Sequence, residues 1–403
     1  MPECEPCVSN IFNEAPGPST QGLPFHTVDP TNIIRYGLIG TGLMGCEHIR
    51  NLAALPGTSV AAVADPHQPS REAAKASMPP SAEAPAEFAD YRELLTSGLI
   101  DAVVVCTPNF THAEVLDEIF SVAPKLHVMI EKPLCTTIAD AQRIVERAKS
   151  HKGVVWMGLE YRYMPPVAQF LRELTTENIG TLKMISIREH RFPFLVKVGD
   201  WNRFSANTGG TLVEKCCHFF DLMNLATKSR PVRVYASGGQ DVNHLDERYP
   251  GNPAGEVPDI LDNAFVTVDY ANGARGLLDL CMFAEASRNE QELVAVGDRG
   301  KVESKVTEGT VTIGRRGPGR EDGRPGEPTM IELDASTDER VGHIGYHHGA
   351  SYLEHLGFLD AIHNSTAPGV TVEEGLWSVA VGVAAHRSIE EGRPVLLSEL
   401  ELG

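Results

Sequence analysis

The segment that most restricts this chain is Tyr36-Gly37-Leu38-Ile39-Gly40-Thr41-Gly42-Leu43-Met44-Gly45, a short apolar run that breaks into glycines and resumes with helical spacing from Met44 to Leu55. A strand that feeds a helix through G-x-G-x-x-G uses its first glycine for a tight turn. The second lets backbone approach a ligand, and the third lets helix and strand pack closely. The helix N-terminus then offers unpaired N–H groups and the positive end of a dipole, which suits a pyrophosphate. Asp65 stands 20 residues beyond Gly45 and closes a second apolar run, Ser59 to Asp65. A carboxylate there accepts hydrogen bonds from ribose hydroxyls. Gly40, Thr41, Gly42, Leu43, Met44, Gly45 and Asp65 therefore form a candidate dinucleotide site. The acid repels a 2′-phosphate, so NAD is expected ahead of NADP, with Arg71 the nearby cation that softens this preference.

Further apolar runs follow at Asp101 to Thr107, Leu126 to Glu131 and Gly153 to Leu159, separated by stretches with helical spacing. Near-continuous apolar strands alternating with helices predict an α/β, doubly wound parallel sheet over residues 35–158. Beyond Glu160 the strands alternate instead, as in Leu182 to Glu189, Asn263 to Tyr270 and Ala274 to Leu280. Asn272-Gly273 between the last two predicts a hairpin. Residues 159–403 are thus expected to form a second α/β domain with a mostly antiparallel sheet. Surface loops are expected at Tyr249 to Pro258 and Gly314 to Pro328, and helices at Ser351 to His363 and Val372 to Glu391. Residues 1–34, with their Pro, Asn, Ser and Glu, are expected to be a flexible arm. A chain of 403 residues accommodates these two domains.

A net charge of −19 argues against a nucleic-acid partner, which needs a basic surface. No apolar run approaches membrane-spanning length, and the N-terminal segment lacks the pattern of a secretory leader. The eight cysteines are scattered and read as free thiols, which points to the cytoplasm. Cys4 and Cys7 have zinc-like spacing without a second pair, so no metal is expected.

Two strand ends carry polar motifs, Cys106-Thr107-Pro108-Asn109-Phe110-Thr111-His112 and Glu131-Lys132-Pro133. Ligands of open parallel sheets bind at the carboxyl ends of the strands, so Thr107, Pro108, Asn109, His112, Glu131 and Lys132 are candidate cofactor contacts. In the second half, Glu214 and His218 are four residues apart and would share a face if one helix carried both. A carboxylate beside a histidine orients the ring and raises its basicity, as a general base requires. His190, Trp201 and His347 are candidate substrate contacts.

Taken in order, GTGLMG, CTPNFTHA, EKP, GGTLVEKCCHFFD and DNAFVTVDYANGARG resemble the Gfo/Idh/MocA oxidoreductases over most of residues 35–395. The resemblance implies a Rossmann domain followed by an α/β domain with an open, largely antiparallel sheet. It also implies NAD(P)-linked chemistry on a hydroxyl of a sugar, inositol or related polyol, in homodimers or homotetramers. It makes Lys132 the catalytic lysine, in contact with substrate, and His218 the general acid/base. It also places Glu160, Tyr161 and Arg162 near the cofactor. Glu214 stands where many relatives carry aspartate, Glu160 where an amide or apolar residue is commoner, and Cys216-Cys217 where small residues are frequent. In the expected reaction His218 takes the hydroxyl proton, Lys132 steadies the oxygen, and Glu214 holds the histidine tautomer. Two rival readings use the same fold: a redox-neutral enzyme that retains NAD while acting on a glycoside, and a non-catalytic dinucleotide-binding regulator.

Overall fold

The computed structural model describes residues 31–320 and 323–402. Most of the proposed arm, with Cys4 and Cys7, lies outside these residues. Six parallel strands come first: β1 (Ile34–Ile39), β2 (Thr58–Ala64), β3 (Ala86–Phe88), β4 (Ala102–Val105), β5 (His127–Glu131) and β6 (Val155–Gly158), in the order β3-β2-β1-β4-β5-β6. Helices α1 (Leu43–Ala54), α2 (Gln68–Ala76), α3 (Tyr91–Thr96), α4 (His112–Val122) and α5 (Ile138–Ala148) connect them. The order reverses between β1 and β4, so the glycine turn after β1 and the loop after β4 flank one crevice. All four residues of β4 are fully buried, as helices on both faces of a parallel sheet require.

After helix α6 (Pro165–Glu173) comes β7 (Leu182–His190), then three short helices, α7 (Ser205–Thr208), α8 (Thr211–Glu214) and α9 (Cys217–Thr227). The remaining strands are β8 (Pro231–Gly239), β9 (Asn263–Tyr270), β10 (Arg275–Cys281), β11 (Gln291–Gly297), β12 (Gly300–Lys305), β13 (Thr310–Arg315), β14 (Thr329–Asp334) and β15 (Val395–Leu396). With β7 they form a nine-stranded sheet, antiparallel except where β7 pairs with β10. The Asn272-Gly273 hairpin joins β9 to β10, with Gly273 at φ 83°. Period-two alternation puts Ile187, Val234, Val266 and Leu278 on a buried face, while Ser186, Tyr235, Thr267 and Leu277 line the other.

Helices α10 (Ala350–Asn364) and α11 (Val372–Glu391) come next in the chain, before β15. Helix α11 packs on α5 and β6 of the first sheet and on α9 and β8 of the second. Its capping box is complete: Thr371 Oγ1 accepts from the Glu374 amide, and Glu374 accepts from the Thr371 amide.

Arg162 departs from its expected place by the cofactor. It lies in the short 3-10 turn Glu160–Tyr163, and its guanidinium pairs with both Asp221 oxygens and donates to Glu374 Oε1 at 2.9 Å. It thereby ties that turn to α9 and α11. Removing one partner of a buried pair strands the other charge, at a cost of about 3–5 kcal/mol. Arg162→Met should lower unfolding free energy by that order in urea titration. Adding Asp221→Leu should recover part of the loss, and a neutral single variant would show that the pair is not a joint.

Candidate active site

The glycine turn is built as its spacing demands. A Cβ on Gly40 would lie 2.7 Å from the Cys106 carbonyl carbon and oxygen, and one on Gly45 would lie 2.3 Å from the Gly40 oxygen. A Cβ on Gly42 would meet nothing within 4 Å. Two glycines thus bring strand and helix together, while the third borders a cavity of about 650 Å³. Gly40, Gly42, Leu43, Met44, Asp65, Thr107, Pro108, Asn109, Glu131, Lys132 and Trp201 line that cavity. The exposed second glycine beside a helix N-terminus fits a pyrophosphate, so these residues suit a dinucleotide.

Asp65 holds the turn: its Oδ2 accepts from Thr41 N at 2.8 Å and Thr41 Oγ1 at 3.2 Å. Arg71 donates to the Asp65 carbonyl at 2.6 Å and faces Glu87 at 3.7 Å. Thr41, Gly45, Arg71 and His112 support the cavity rather than line it. His112 is fully buried, with ring nitrogens 2.9 Å from the Pro133 carbonyl and 3.0 Å from the Thr107 carbonyl. It ties the two strand-end loops together.

At the cavity floor, the Glu131 carboxylate is 2.8 Å from His48 Nε2 and accepts from the Lys132 amide at 3.0 Å. Burial alone would raise its pKa, but the His48 hydrogen bond and the charges of His48 and Lys132 bring it down to about 2. A carboxylate so held only accepts, so His48 Nε2 carries the proton between them. His48 Nδ1 in turn meets His355 Nε2 of α10 at 2.8 Å. Lys132 Nζ donates to the Glu214 carbonyl oxygen at 3.2 Å. Burial opposes its charge, yet Cys217, Glu214, Glu131 and Glu160 raise the ammonium above its ordinary value.

Glu214 and His218 do not share a helix. A two-residue turn at Lys215-Cys216 separates α8 from α9, and the Glu214 carboxylate faces Lys197 at 3.3 Å. The carboxylate beside His218 is Glu160, whose Oε1 is 3.7 Å from His218 Nε2. His218 stacks on Tyr161 with ring centroids 3.9 Å apart and planes 6° apart. Tyr161 is itself fixed, because its hydroxyl accepts from Lys215 Nζ at 2.7 Å, and Lys215 pairs with Glu189 at 2.9 Å. Burial, then the Lys132 charge, drives the His218 pKa well below its ordinary value. Burial, then the Glu131 charge, raises Glu160 to about 8.

His347 joins this group, its Nδ1 3.5 Å from Glu160 Oε1. Trp201, expected to contact substrate, lines the dinucleotide cavity with Lys197 Nζ 4.5 Å from its ring centroid. His190 turns the other way. It alternates with Glu189 on β7, so it faces the open side of the sheet and bonds Asp279 at 3.0 Å. Among the described residues, no cluster of His, Cys, Asp and Glu is arranged to hold a metal ion.

The sequence reading passed over His48, His355, Lys197, Lys215 and Glu189. Two of them carried a signal. His48 lies on the apolar stripe of α1 with Gly45 and Leu52, and Glu189 continues the inward alternation of Ile185 and Ile187.

Gly45→Ala should cost about 1–3 kcal/mol of stability, because its methyl meets backbone. Gly42→Ala should leave the melting temperature unchanged yet weaken NAD⁺ binding about tenfold, roughly 1.4 kcal/mol. Calorimetry of both variants, thermal and isothermal, checks this, and equal effects on folding would refute the division of roles.

Residues 34–159 match the NAD-binding Rossmann domain of the Gfo/Idh/MocA oxidoreductase family, and residues 172–397 match its C-terminal α/β domain. The chain is 27% identical over 373 residues to a myo-inositol 2-dehydrogenase of Thermotoga maritima, covering 91% of this chain and 99% of that one. It is 24% identical over 368 residues to an NAD⁺ scyllo-inositol 2-dehydrogenase of Bacillus subtilis, covering 90% and 96%. In fold it is similar to an oxidoreductase domain protein of Kribbella flavida, with TM-score 0.76, 20% identity, and 91% and 99% covered. A levoglucosan dehydrogenase solved with NADH and levoglucosan gives TM-score 0.73 at 20% identity, with 90% and 99% covered. With both halves matched in order around one glycine-turn cavity, the chain belongs to the Gfo/Idh/MocA family of NAD-binding oxidoreductases.

Proposed function

We propose that this protein is an NAD-dependent dehydrogenase that oxidises a ring hydroxyl of an inositol, sugar or related polyol. The observation that carries this reading is Lys132 lining the glycine-turn cavity, with His218, whose pKa burial and the Lys132 charge lower, stacked flat on Tyr161 behind it. The loops at Gly40 to Gly45 and Thr107 to Asn109, with Asp65 and Trp201, would hold NAD. When bound, NAD⁺ supplies the two-electron acceptor for the carbon being oxidised.

The chain's own residues supply the rest. Lys132 stays protonated, so it donates a hydrogen bond to the reacting oxygen and steadies negative charge as it develops. Neutral His218 offers the lone pair of Nε2, the ring nitrogen that lies 3.7 Å from Glu160 Oε1, to the hydroxyl proton. Nδ1 is sealed within the protein, which leaves Nε2 as the nitrogen a substrate can reach. Tyr161 fixes the ring plane. Lys197 holds the Glu214 carboxylate, so Glu214 serves the site chiefly through the backbone oxygen that positions Lys132.

Cytoplasmic residence fits the six described cysteines, all free, including the adjacent pair Cys216 and Cys217. No helix among the described residues is long and apolar enough to cross a membrane. Assembly into homodimers or homotetramers fits the open face of the nine-stranded sheet. Phe265 (61% exposed), Met184 (56%), Tyr235 and Leu277 stand there without cover. The double variant Phe265→Glu/Leu277→Glu should reduce the assembly to monomers by light scattering. An unchanged mass would reject this face.

NAD⁺ reduction followed at the nicotinamide absorbance, across inositols, aldoses and sugar acids, tests the activity. Turnover is expected with at least one of them. Lys132→Met should lower kcat/KM at least about 100-fold, by roughly 2.7 kcal/mol, with NAD⁺ affinity retained. Turnover equal to that of the unaltered protein would remove Lys132 from the chemistry. Tightly retained NAD without net reduction by any compound would favour redox-neutral chemistry.

A further inference from the structure

We infer that Glu160 and His347 form the exit by which the proton taken up by His218 leaves the enclosed site for solvent. The inference rests on the dehydrogenase reading above. Oxidation of an alcohol releases one proton for each pair of electrons transferred, and His218 has to shed that proton before the next turnover.

The geometry makes a direct release from His218 difficult. Its side chain is 2% exposed and is stacked flat on Tyr161, so the ring cannot swing outward without losing that contact. The single oxygen Glu160 Oε1 lies 3.7 Å from His218 Nε2 and 3.5 Å from His347 Nδ1. Side-chain exposure rises along this line, from 2% at His218 and 3% at Glu160 to 23% at His347. Both separations exceed a hydrogen bond by a few tenths of an ångström, a slack that catalytic contacts close when substrate binds. Glu160 Oε2 and His347 Nδ1 are buried with no hydrogen-bond partner within the protein, an unfavourable arrangement for purely structural groups.

Other groups around His218 are unsuited to carry the proton. Lys132 is already protonated, Glu131 is held as a carboxylate, and the Glu214 carboxylate faces Lys197. The Tyr161 hydroxyl is engaged by Lys215. The charged or titratable groups acting on Glu160 are Glu131, Lys132, Tyr161, Lys215, Cys217, His218, His347 and, from α10, Glu354. Burial and the Glu131 charge put the Glu160 carboxyl near 8, close to where a group must sit to gain and lose a proton readily.

The step balances as follows. The substrate O–H bond breaks and its proton joins His218 Nε2; the imidazolium then gives that proton to the Glu160 carboxylate at Oε1 and is neutral again. Glu160 passes that proton to His347 Nδ1, and the His347 imidazolium releases a proton to water or a buffer base and regains its starting tautomer by exchange with solvent. One proton enters, one leaves, and both carboxylate and imidazoles regain their charge.

The test uses the full-length protein, NAD⁺ and myo-inositol, with His347→Ala and Glu160→Gln. In His347→Ala, kcat should fall about 10- to 100-fold. NAD⁺ affinity should hold, and added imidazole should restore kcat in a concentration-dependent way. In a single turnover read with a pH indicator, proton release should lag NADH formation in the variant but not in the unaltered protein. Unchanged kcat, or a loss without imidazole rescue and with synchronous release, would overturn the exit. Failure of the unaltered protein to oxidise myo-inositol, scyllo-inositol or levoglucosan would instead count against the dehydrogenase reading. A substrate-independent arm separates the two: ¹⁵N-histidine NMR should show Glu160→Gln altering the tautomer signals of both His218 and His347. Signals unaffected by that substitution would overturn the exit whatever the substrate.

Discussion

The carboxylate of Glu131, buried at the end of β5, fixes the geometry of the site. It is caught between the Lys132 amide and His48, and His48 passes the contact on to His355. His48 belongs to the helix that starts at the glycine turn, Glu131 to the central sheet, and His355 to a helix more than two hundred residues later in the chain. Three distant segments therefore share one ion and its hydrogen bonds. An ion taken out of water is costly unless it is paired and bonded, so the arrangement works only when all three segments are in register. The backbone before the Lys132 side chain is thereby set by the whole fold rather than by its own loop.

That anchored charge also explains why two carboxyl groups of one site behave oppositely. Glu131 stays ionised because His48 and Lys132 face it. Glu160, in the same enclosure, is pushed toward neutrality by burial and by Glu131 itself. Separating two titratable groups in this way is how a site acquires a fixed charge and a movable proton together. Lys132 stays charged while His218 and His347 stay neutral, since Cys217 and the buried carboxylates favour the first and desolvation governs the other two.

Much of this was legible in the sequence where one local rule decides the outcome. The glycine turn, the parallel strands, the β9–β10 hairpin and α11 over Val372–Glu391 each follow from spacing or turn chemistry confined to a short window. The sequence reading does not reach strands β3, β8 and β11 to β15, because β3 and β15 are only two or three residues long and the pairing of the others is set by long-range contacts. The Glu214–His218 pairing failed for a definite reason: i,i+4 adjacency presumes a continuous helix, and the turn at Lys215-Cys216 interrupts it. The partner that replaces Glu214 comes from residue 160, at a separation no local pattern reports. His190 failed on parity alone. One residue along a strand is the difference between the buried face of Glu189 and the open face of Asp279.

Buried side-chain atoms without a partner within the protein are spread over the described residues, from Tyr36 and Tyr91 to Asn224, Asn289 and His363, and the site holds some of them. Those at or near the site include Glu160 Oε2, Glu214 Oε2, His218 Nδ1, His347 Nδ1 and Asn109 Nδ2. Each unmade bond of this kind costs about 1–3 kcal/mol against a total stability of roughly 5–15 kcal/mol. A fold carries such a cluster only if other parts are over-determined. Here they are: Arg162 binds Asp221 and Glu374 at once, and Glu374 also closes the capping box of α11. The joint that holds the two sheets together is satisfied, while the polar groups at the site are not. Sequences that specify one structure keep every level consistent except where function requires an exception. At the site the exceptions fall on Glu160, His218 and His347, while Lys132 between them is bonded.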